Sequence, residues 1–157
     1  MSNLTVIRER VATIQKAITL PYGATTLKVN AAKAYQPSDI SSLACPFFIN
    51  ELRGGRAEVM ATGGLQYIDS NISMNLCVAR KEANLGLDTV LEKTEQWRDT
   101  VLAAFALKIR LGNDLDFIID AYINAWDEIE YAYGSAVYVA LTFNLYVREA
   151  FVLTYAP

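Results

Sequence analysis

The chain has 157 residues and a formal net charge of −3, with 53% hydrophobic and 20% charged residues. A length near 150 residues is typical of one domain with its own core. The weakly acidic balance excludes a strongly basic surface for binding nucleic acid phosphates. The longest apolar runs are far below the ~18 residues of a membrane-spanning helix, so we expect no membrane partner. The low charged fraction favours a subunit that buries further surface against neighbours.

The N-terminal residues predict an amphipathic helix of about four turns. Its apolar side chains recur at helical spacing on one stripe, formed by Leu4, Ile7, Val11, Ile14 and Ile18. Ser2 or Asn3 is suited to cap its N-terminus. The sequence Pro-Tyr-Gly at residues 21–23 is expected to end the helix. Residues 24–42 show no clear periodicity.

The next segments predict two strands joined through a projecting arm. Residues 46–52 are typical of a strand that begins with a proline. Two glycine pairs, at residues 54–55 and 63–64, predict a projecting hairpin or arm over about residues 53–66. Apolar and polar residues alternate over residues 68–78, which predicts a long strand with one polar face.

Thr89 and Glu92 have the spacing of a capping box, which predicts that a second helix begins at Thr89. Gly112 is the expected stop. Between them, the residues expected to form the buried stripe of this helix are Trp97, Val101, Leu102, Phe105 and Ile109.

Two final strands are predicted over about residues 126–133 and 136–153, with Gly134-Ser135 as their turn. Strict alternation in the second of them is the clearest β signal in the chain. Consecutive strands joined by short turns favour antiparallel pairing. The order of elements therefore predicts an α+β fold, with a mainly antiparallel β-sheet and two main helices packed on one face. We expect a single domain over residues 1–157.

The residue inventory offers little for catalysis. The chain has no histidine, which removes the most common general base and the most common zinc ligand. Asp114, Asp116 and Asp120 cluster after the second helix, but their spacing lacks the full pattern of a calcium loop. Asp114 and Asp116 are expected to decorate a turn or cap the next element, and a metal-assisted enzyme that uses the acidic residues is the alternative. We expect no catalytic, cofactor-binding or metal-binding residues and no enzymatic activity.

Cys45 and Cys77 are the two cysteines of the chain. The N-terminus shows no secretion signal, so both are expected as free thiols packed in or beside the core of a protein that folds in a reducing cytoplasm. A disulfide between them is the alternative.

The chain has nine tyrosines, which are many for this length. Packing in the core and on the sheet surface is the default explanation for those on the last two strands. Aromatic enrichment at subunit contacts is the functional alternative. Arg53 and Arg56 on the arm are expected either to form a solvated pair or to contact an acidic neighbour.

The order of elements resembles that of the tail terminator, or tail completion, proteins of long-tailed bacteriophages. The similar parts are the N-terminal helix, residues 34–40 (AYQPSDI) leading to residues 43–48 (LACPFF), a central helix that ends at residues 110–112 (RLG), and the closing hairpin. The resemblance covers most of the chain as a pattern of elements. It implies a structural subunit of a homo-hexameric ring that caps the tail tube, ends tube growth and joins the tail to the head connector.

The same resemblance implies two protein partners besides sister copies, namely the tail tube protein and the head connector or neck protein. It also implies that DNA passes through the lumen without sequence-specific binding, and that the protein is made in the host cytoplasm and located in the virion. Exposure and chain geometry predict the subunit contacts. The expected contact residues are Arg53, Arg56, Glu58 and Met60 of the arm, followed by Tyr131, Tyr133, Tyr138 and Tyr146 of the closing hairpin.

Two alternatives stay open at this point. Another head–tail joining, tail tube or baseplate subunit would share much of this architecture and differ mainly in its partners. A small-molecule binding domain would need a pocket between sheet and helices, with a few convergent polar groups in an apolar lining.

Overall fold

The computed structural model describes residues 2–59, 65–81 and 87–152, and of residues 59, 65, 87–91 and 152 it describes the backbone alone. The helices are α1 (Asn3–Lys16) and α2 (Leu87–Ala106). The strands are β1 (Thr19–Tyr22), β2 (Thr25–Lys28), β3 (Ala31–Lys33), β4 (Phe47–Val59), β5 (Leu65–Arg80), β6 (Ile118–Tyr133) and β7 (Ala136–Val152). Neither helix in these described ranges is long and apolar enough to cross a membrane.

Helix α1 forms as its apolar spacing predicts, but it ends earlier than predicted. Ser2 caps it, because its side chain accepts a hydrogen bond from the backbone N–H of Thr5. The prediction that residues 21–23 end the helix is wrong. Pro21 lies in β1, which pairs with β2 around a turn at Gly23 in the left-handed region (φ 58°). Each of these strands has only four residues, too few for an alternation to be recognised in the sequence.

Five strands form the main sheet in the order β3-β4-β5-β7-β6. Strand β3 runs parallel to β4, and all other neighbours are antiparallel. Strand β6 begins at Ile118, well before the predicted residue 126, and its bulges with β7 explain why its alternation is hard to follow. The two-residue turn at Gly134-Ser135 is confirmed, since Tyr133 pairs with Ala136 and Gly134 has a left-handed φ of 61°.

The described part of the predicted arm consists of the last residues of β4 and the first residues of β5. The two strands pair from Phe47–Cys77 to Val59–Gln66, with a bulge at Gly54. The other side of β5 pairs with β7 along almost its whole length. The described part of the arm is therefore continuous with the main sheet through β7, and Met60 lies outside the described residues.

Helix α2 begins at Leu87, so Thr89 lies in its first turn, and the prediction of Thr89 as the N-cap is wrong. Trp97, Val101 and Phe105 are buried as predicted. The helix ends at Ala106, and the chain then turns away, which leaves Ile109 59% exposed instead of buried. The apolar spacing continues past the last helical residue, so periodicity alone placed the end of the helix too late.

Both helices pack on one face of the main sheet, where Ile7 and Val11 of α1 share a core with Val101 and Phe105 of α2. The sheet residues of this core occupy alternating positions: Ile72, Met74, Leu76 and Val78 of β5, with Leu141, Phe143, Leu145 and Val147 of β7. The structure thus confirms an α+β fold with a mainly antiparallel sheet.

A pair of buried amides joins α1 to β4 inside this core. Gln15 donates to Asn50 Oδ1 at 2.8 Å, and Asn50 donates back to Gln15 Oε1 at 2.7 Å. Asn50 also donates to the backbone carbonyl of Lys33. Both amide side chains are fully buried, so these bonds replace the water that the groups lost on folding.

A smaller core covers one end of the opposite sheet face. Phe47, Ile49 and Cys77 are buried there beneath Ile40, which the segment between β3 and β4 folds across the sheet. Beyond this core the same face carries mostly uncharged polar side chains: Asn71, Ser73 and Asn75 of β5, with Thr142 and Asn144 of β7.

Candidate subunit-contact surface

Both sides of the main sheet end in strand edges that no described strand covers. Strand β6 is the last strand on one side and is 16 residues long. On the other side, β3 pairs only with the first residues of β4, up to Ile49, so residues 50–59 of β4 pair with β5 on their inner side and with no described strand on their outer side. Such edges present backbone donors and acceptors to an added strand.

The predicted arm residues lie on the open part of β4, and each described one already has a charged partner. Arg53 pairs with Glu51 at 2.9 Å. Arg56 Nε donates to Asp69 at 3.2 Å, and Glu58 lies 3.6 Å from Arg148. The side chains of Arg53 and Arg56 are 59% and 74% exposed, so they remain accessible to a neighbouring protein.

Asp69 is the centre of this ionic group. Its side chain is only 4% exposed, and it accepts hydrogen bonds from Arg148 Nε at 2.7 Å and Arg148 Nη2 at 2.9 Å. These bonds, and the bond from Arg56, hold the pKa of Asp69 well below its usual value, although burial acts in the opposite direction. The carboxylate therefore stays charged and connects β4, β5 and β7.

Aromatic rings surround the same group. Tyr146 lies 5.1 Å from Tyr122 between ring centroids, and the guanidinium of Arg148 lies 5.2 Å from the Tyr67 ring. Tyr122 is well exposed and Tyr146 is partly buried. Of the four predicted contact tyrosines, Tyr146 is the one beside the ionic group of the arm.

Tyr131 and Tyr133 make internal contacts at the other end of the hairpin. The Tyr131 hydroxyl donates to Glu51 at 2.6 Å, and the Tyr133 hydroxyl donates to the backbone carbonyl of Pro37. Burial, reinforced by the bond to Glu51, raises the pKa of Tyr131. Both rings hold parts of the chain's own fold together, and Tyr131 is buried.

Tyr138 is also part of the interior. It has no exposed surface, and its ring packs edge-on against Phe47 with centroids 5.3 Å apart. Its hydroxyl finds no hydrogen-bond partner within the described residues. Tyr138 and Tyr131 thus leave little surface for a neighbouring subunit, and Tyr133 and Tyr146 are the tyrosines of the predicted set that keep some.

The predictions from the sequence missed an exposed apolar loop that follows α2. Leu107 is 92% exposed and Ile109 is 59% exposed, and Ile119 at the start of β6 lies beside them. The signal was available in the alternation Leu-Lys-Ile-Arg at residues 107–110, which has strand-like period two although it lies directly after a helix.

The acidic residues after α2 form no metal site in the part of the chain that the structure describes. Asp114 is bound by Arg10, whose two terminal nitrogens donate to its carboxylate at 2.7 and 2.6 Å. This pairing lowers the pKa of Asp114. A salt bridge therefore accounts for Asp114, and the predicted role in a turn or cap stays a prediction for Asp116.

Cys45 and Cys77 are both free thiols. Burial raises the pKa of Cys45 to about 11, and burial also raises the pKa of Cys77. Neither thiol has the lowered pKa of a reactive cysteine.

A cleft of about 480 Å³ opens between the β1–β2 hairpin, α2 and residues 43–46. Its walls are mainly apolar and include Trp97, and two cations, Arg80 and Lys93, lie at its lining. An apolar lining with a few polar groups is the usual composition of a small-molecule pocket.

Comparison with known proteins adds no relative. No protein-family model matches the chain, and no curated protein matches it. The surface geometry and the pattern resemblance of the sequence are therefore the grounds for a function.

Proposed function

We propose that the chain is a structural subunit of a homo-oligomeric ring, hexameric by its resemblance to tail terminator proteins, at the head-proximal end of a phage tail. The observation that carries this proposal is that the main sheet has two open edges, β6 and residues 50–59 of β4, on opposite sides. A long uncovered edge is a liability for a monomer and a ready-made contact for a subunit.

Two different open edges favour a ring over a symmetric pair. When one surface of a subunit contacts a different surface of the next, the contact is heterologous and repeats until the assembly closes. Strand β6 carries acidic side chains and no lysine or arginine, whereas the open part of β4 carries Arg53 and Arg56 together with Glu51 and Glu58. The two edges therefore differ in charge, and such differences set the orientation of subunits more than they set affinity.

In this role the ring would contact the tail tube protein on one face and the head connector on the other. DNA would pass through its lumen during ejection. The sheet face lined by residues such as Asn71, Ser73 and Asn144 is polar, and the two arginines on it, Arg56 and Arg148, are paired with Asp69, so among the described residues it presents no unpaired basic stripe to hold phosphates. Such a lining suits passage without sequence-specific binding, in a protein located in the virion.

The first test is the mass of the purified chain, by light scattering and by native mass spectrometry, together with negative-stain images. We expect rings. A double variant, Leu52→Glu with Ala57→Glu, places two charges at exposed positions of the open β4 edge and should block addition of a strand. Ala103→Glu, at an exposed position of α2, is the matched control and should assemble normally.

The outcome that counts against the ring is a wild-type chain that stays monomeric at high concentration, alone and with tail tube protein. Rings that form equally well in the edge variant would show instead that β4 is not the contact. Far-UV circular dichroism and a cooperative melt would establish that each variant is folded.

A small-molecule binding domain is the second candidate, and the cleft at Arg80 and Lys93 favours it. A ligand for this cleft would be an apolar or aromatic carboxylate. Saturable binding of indole-3-acetate or benzoate to a monomeric wild-type chain, lost in Arg80→Ala, would support this candidate over the ring. Leu52→Glu, which lies outside the cleft, is the control for that measurement.

A further inference from the structure

The loop after α2 combines exposed apolar residues with basic ones. Leu107 and Ile109 are the most exposed large apolar residues among those described, and Lys108 and Arg110 alternate with them. Together with Ile119 they line an open cavity of about 560 Å³. An exposed apolar patch of this kind marks a contact with another molecule.

The two cations of this loop are free to meet an acidic partner. Neither Lys108 nor Arg110 forms an ion pair with any described carboxylate. The acidic side chain that follows in the loop, Asp114, is already bound by two nitrogens of Arg10. Residues 107–110 therefore present a charge of about +2 beside an apolar cavity, and the exposed Asp116 further along the loop forms no ion pair with them.

The complementary surface lies on the same chain, further along the edge strand β6. Trp126 is 44% exposed and lies on the helix face of this edge strand together with Glu128, whereas Asp127 between them lies on the opposite face, and both carboxylates are exposed. Neither carboxylate pairs with a described cation, whereas the nearby Glu130 is paired with Lys81 at 2.8 Å. The guanidinium of Arg98 lies 4.7 Å from the Trp126 ring and holds the indole against α2.

One copy does not bring its own two surfaces together. Ile109 lines a small cavity together with Ile123, which is three residues, or about 10 Å at ~3.3 Å per residue, before Trp126 on the same strand. Within one copy, neither Lys108 nor Arg110 forms an ion pair with Asp127 or Glu128, so this contact is left to a different copy. Each copy then carries one basic apolar surface and one acidic aromatic surface.

We propose that residues 107–110 of one copy dock along the edge formed by residues 126–128 of a second copy, with Leu107 and Ile109 against Trp126 and the two cations at the carboxylates of Glu128 on one face of this edge and Asp127 on the other. This inference rests on the proposed ring, because a ring needs one donor surface and one acceptor surface on every subunit. The apolar contact supplies most of the affinity, and the charges select the orientation and make the contact sensitive to salt.

Charge exchange tests this contact directly. Lys108→Glu with Arg110→Glu makes the loop acidic, and Asp127→Lys with Glu128→Lys makes the strand basic. We expect each double variant alone to lose assembly by about tenfold or more in dissociation constant. An equal mixture should assemble again, because the reversed loop of one variant meets the reversed strand of the other while the unchanged surfaces still match.

The control is Glu92→Lys with Glu95→Lys, which makes the same charge change as the strand variant at exposed positions of α2 and should assemble like wild type. The contact is overturned if either double variant assembles like wild type, or if both are folded and their mixture stays monomeric. If a double variant assembles like wild type, the contact is overturned but the proposed ring function is not. If the mixture forms a closed pair instead of a ring, the contact is supported and the proposed ring is overturned. A wild-type chain that never associates overturns both the contact and the ring.

Discussion

Asp69 and Arg148 lie directly opposite each other on β5 and β7, and Arg148 donates two hydrogen bonds to the Asp69 carboxylate, at 2.7 and 2.9 Å. Arg56 of β4 adds a third bond to the same carboxylate. A planar guanidinium and a carboxylate match in this bidentate geometry, which is stronger than a single charged bond. Three neighbouring strands of the arm are therefore connected through one buried acid.

Asp69→Asn is expected to destabilise the protein at neutral pH by about 2 kcal/mol, because two arginines lose their charged acceptor. The pKa of Asp69 is lowered in the folded state, so its charge stabilises the fold fully above about pH 4, near the ordinary value for an unfolded chain. That stabilisation disappears as the pH falls toward the folded-state pKa. Urea unfolding at a series of pH values should show wild type and variant converging in acid.

The matched control for this measurement is Asp114→Asn. Its carboxylate also pairs with an arginine, but it is 65% exposed, so solvent screens the pair and a much smaller change than in Asp69→Asn is expected. A difference between Asp69→Asn and wild type that stayed constant from neutral pH to pH 2 would contradict the assigned role of Asp69.

Gly55→Ala is expected to disturb the β4–β5 pairing. A Cβ at this position would lie 1.9 Å from the backbone oxygen of Asp69, so the two strands would have to separate. We expect a loss of about 2–3 kcal/mol in unfolding free energy. Gly134→Ala is the control, since its Cβ meets open space and its left-handed φ costs only about 1 kcal/mol. Equal losses in the two variants by urea titration would show that the close approach at Gly55 is absent.

Two tyrosine-to-phenylalanine changes are expected to affect the free energy of unfolding differently. Tyr138→Phe removes a buried hydroxyl without a described partner and should leave stability unchanged or raise it by up to about 1 kcal/mol. Tyr131→Phe removes the bond to Glu51 and should lower stability by about 1–2 kcal/mol. Thermal and urea unfolding of the two variants, measured side by side, decide the matter. A clear loss in Tyr138→Phe would mean that its hydroxyl does have a partner.

Cys45 is expected to react slowly with thiol reagents in the native protein. With its pKa raised to about 11 by burial, only about one thiol in a thousand is ionised at pH 8. The rate of maleimide labelling should therefore rise about tenfold per pH unit between pH 8 and pH 10. The urea-unfolded chain provides the comparison, and a native rate equal to the unfolded rate would contradict the burial of this thiol.

The parts of the fold that follow a long period were predictable from the sequence. Helix α1 and strands β5 and β7 repeat their apolar positions often enough to be recognised, and the stripe of α2 was found from Trp97 to Phe105. The β1–β2 hairpin was missed because its strands are four residues long. The end of α2 was misplaced because Ile109 continues the helical spacing although the chain has already turned away.

The candidate site was predictable only in part. The arm charges Arg53, Arg56 and Glu58 could be located because glycines flank them in the sequence. The pairing of Asp69 with Arg148 could not, because the two residues are 79 positions apart and meet only through the β5–β7 register. The exposure of the tyrosines also depends on tertiary packing. The alternation of β7 places Tyr138 on the polar side of the strand, but the residue is buried.

The reciprocal amides of Gln15 and Asn50 have a consequence for how α1 sits on the sheet. Side chains made only of hydrocarbon would tolerate a small rotation or a slide of the helix with little loss, but two matched amides meet at a single angle and a single height. The two hydrogen bonds therefore fix the helix in one position on the sheet. The groups on its outer side, including the guanidinium of Arg10 that reaches Asp114, are delivered to the same place in every copy.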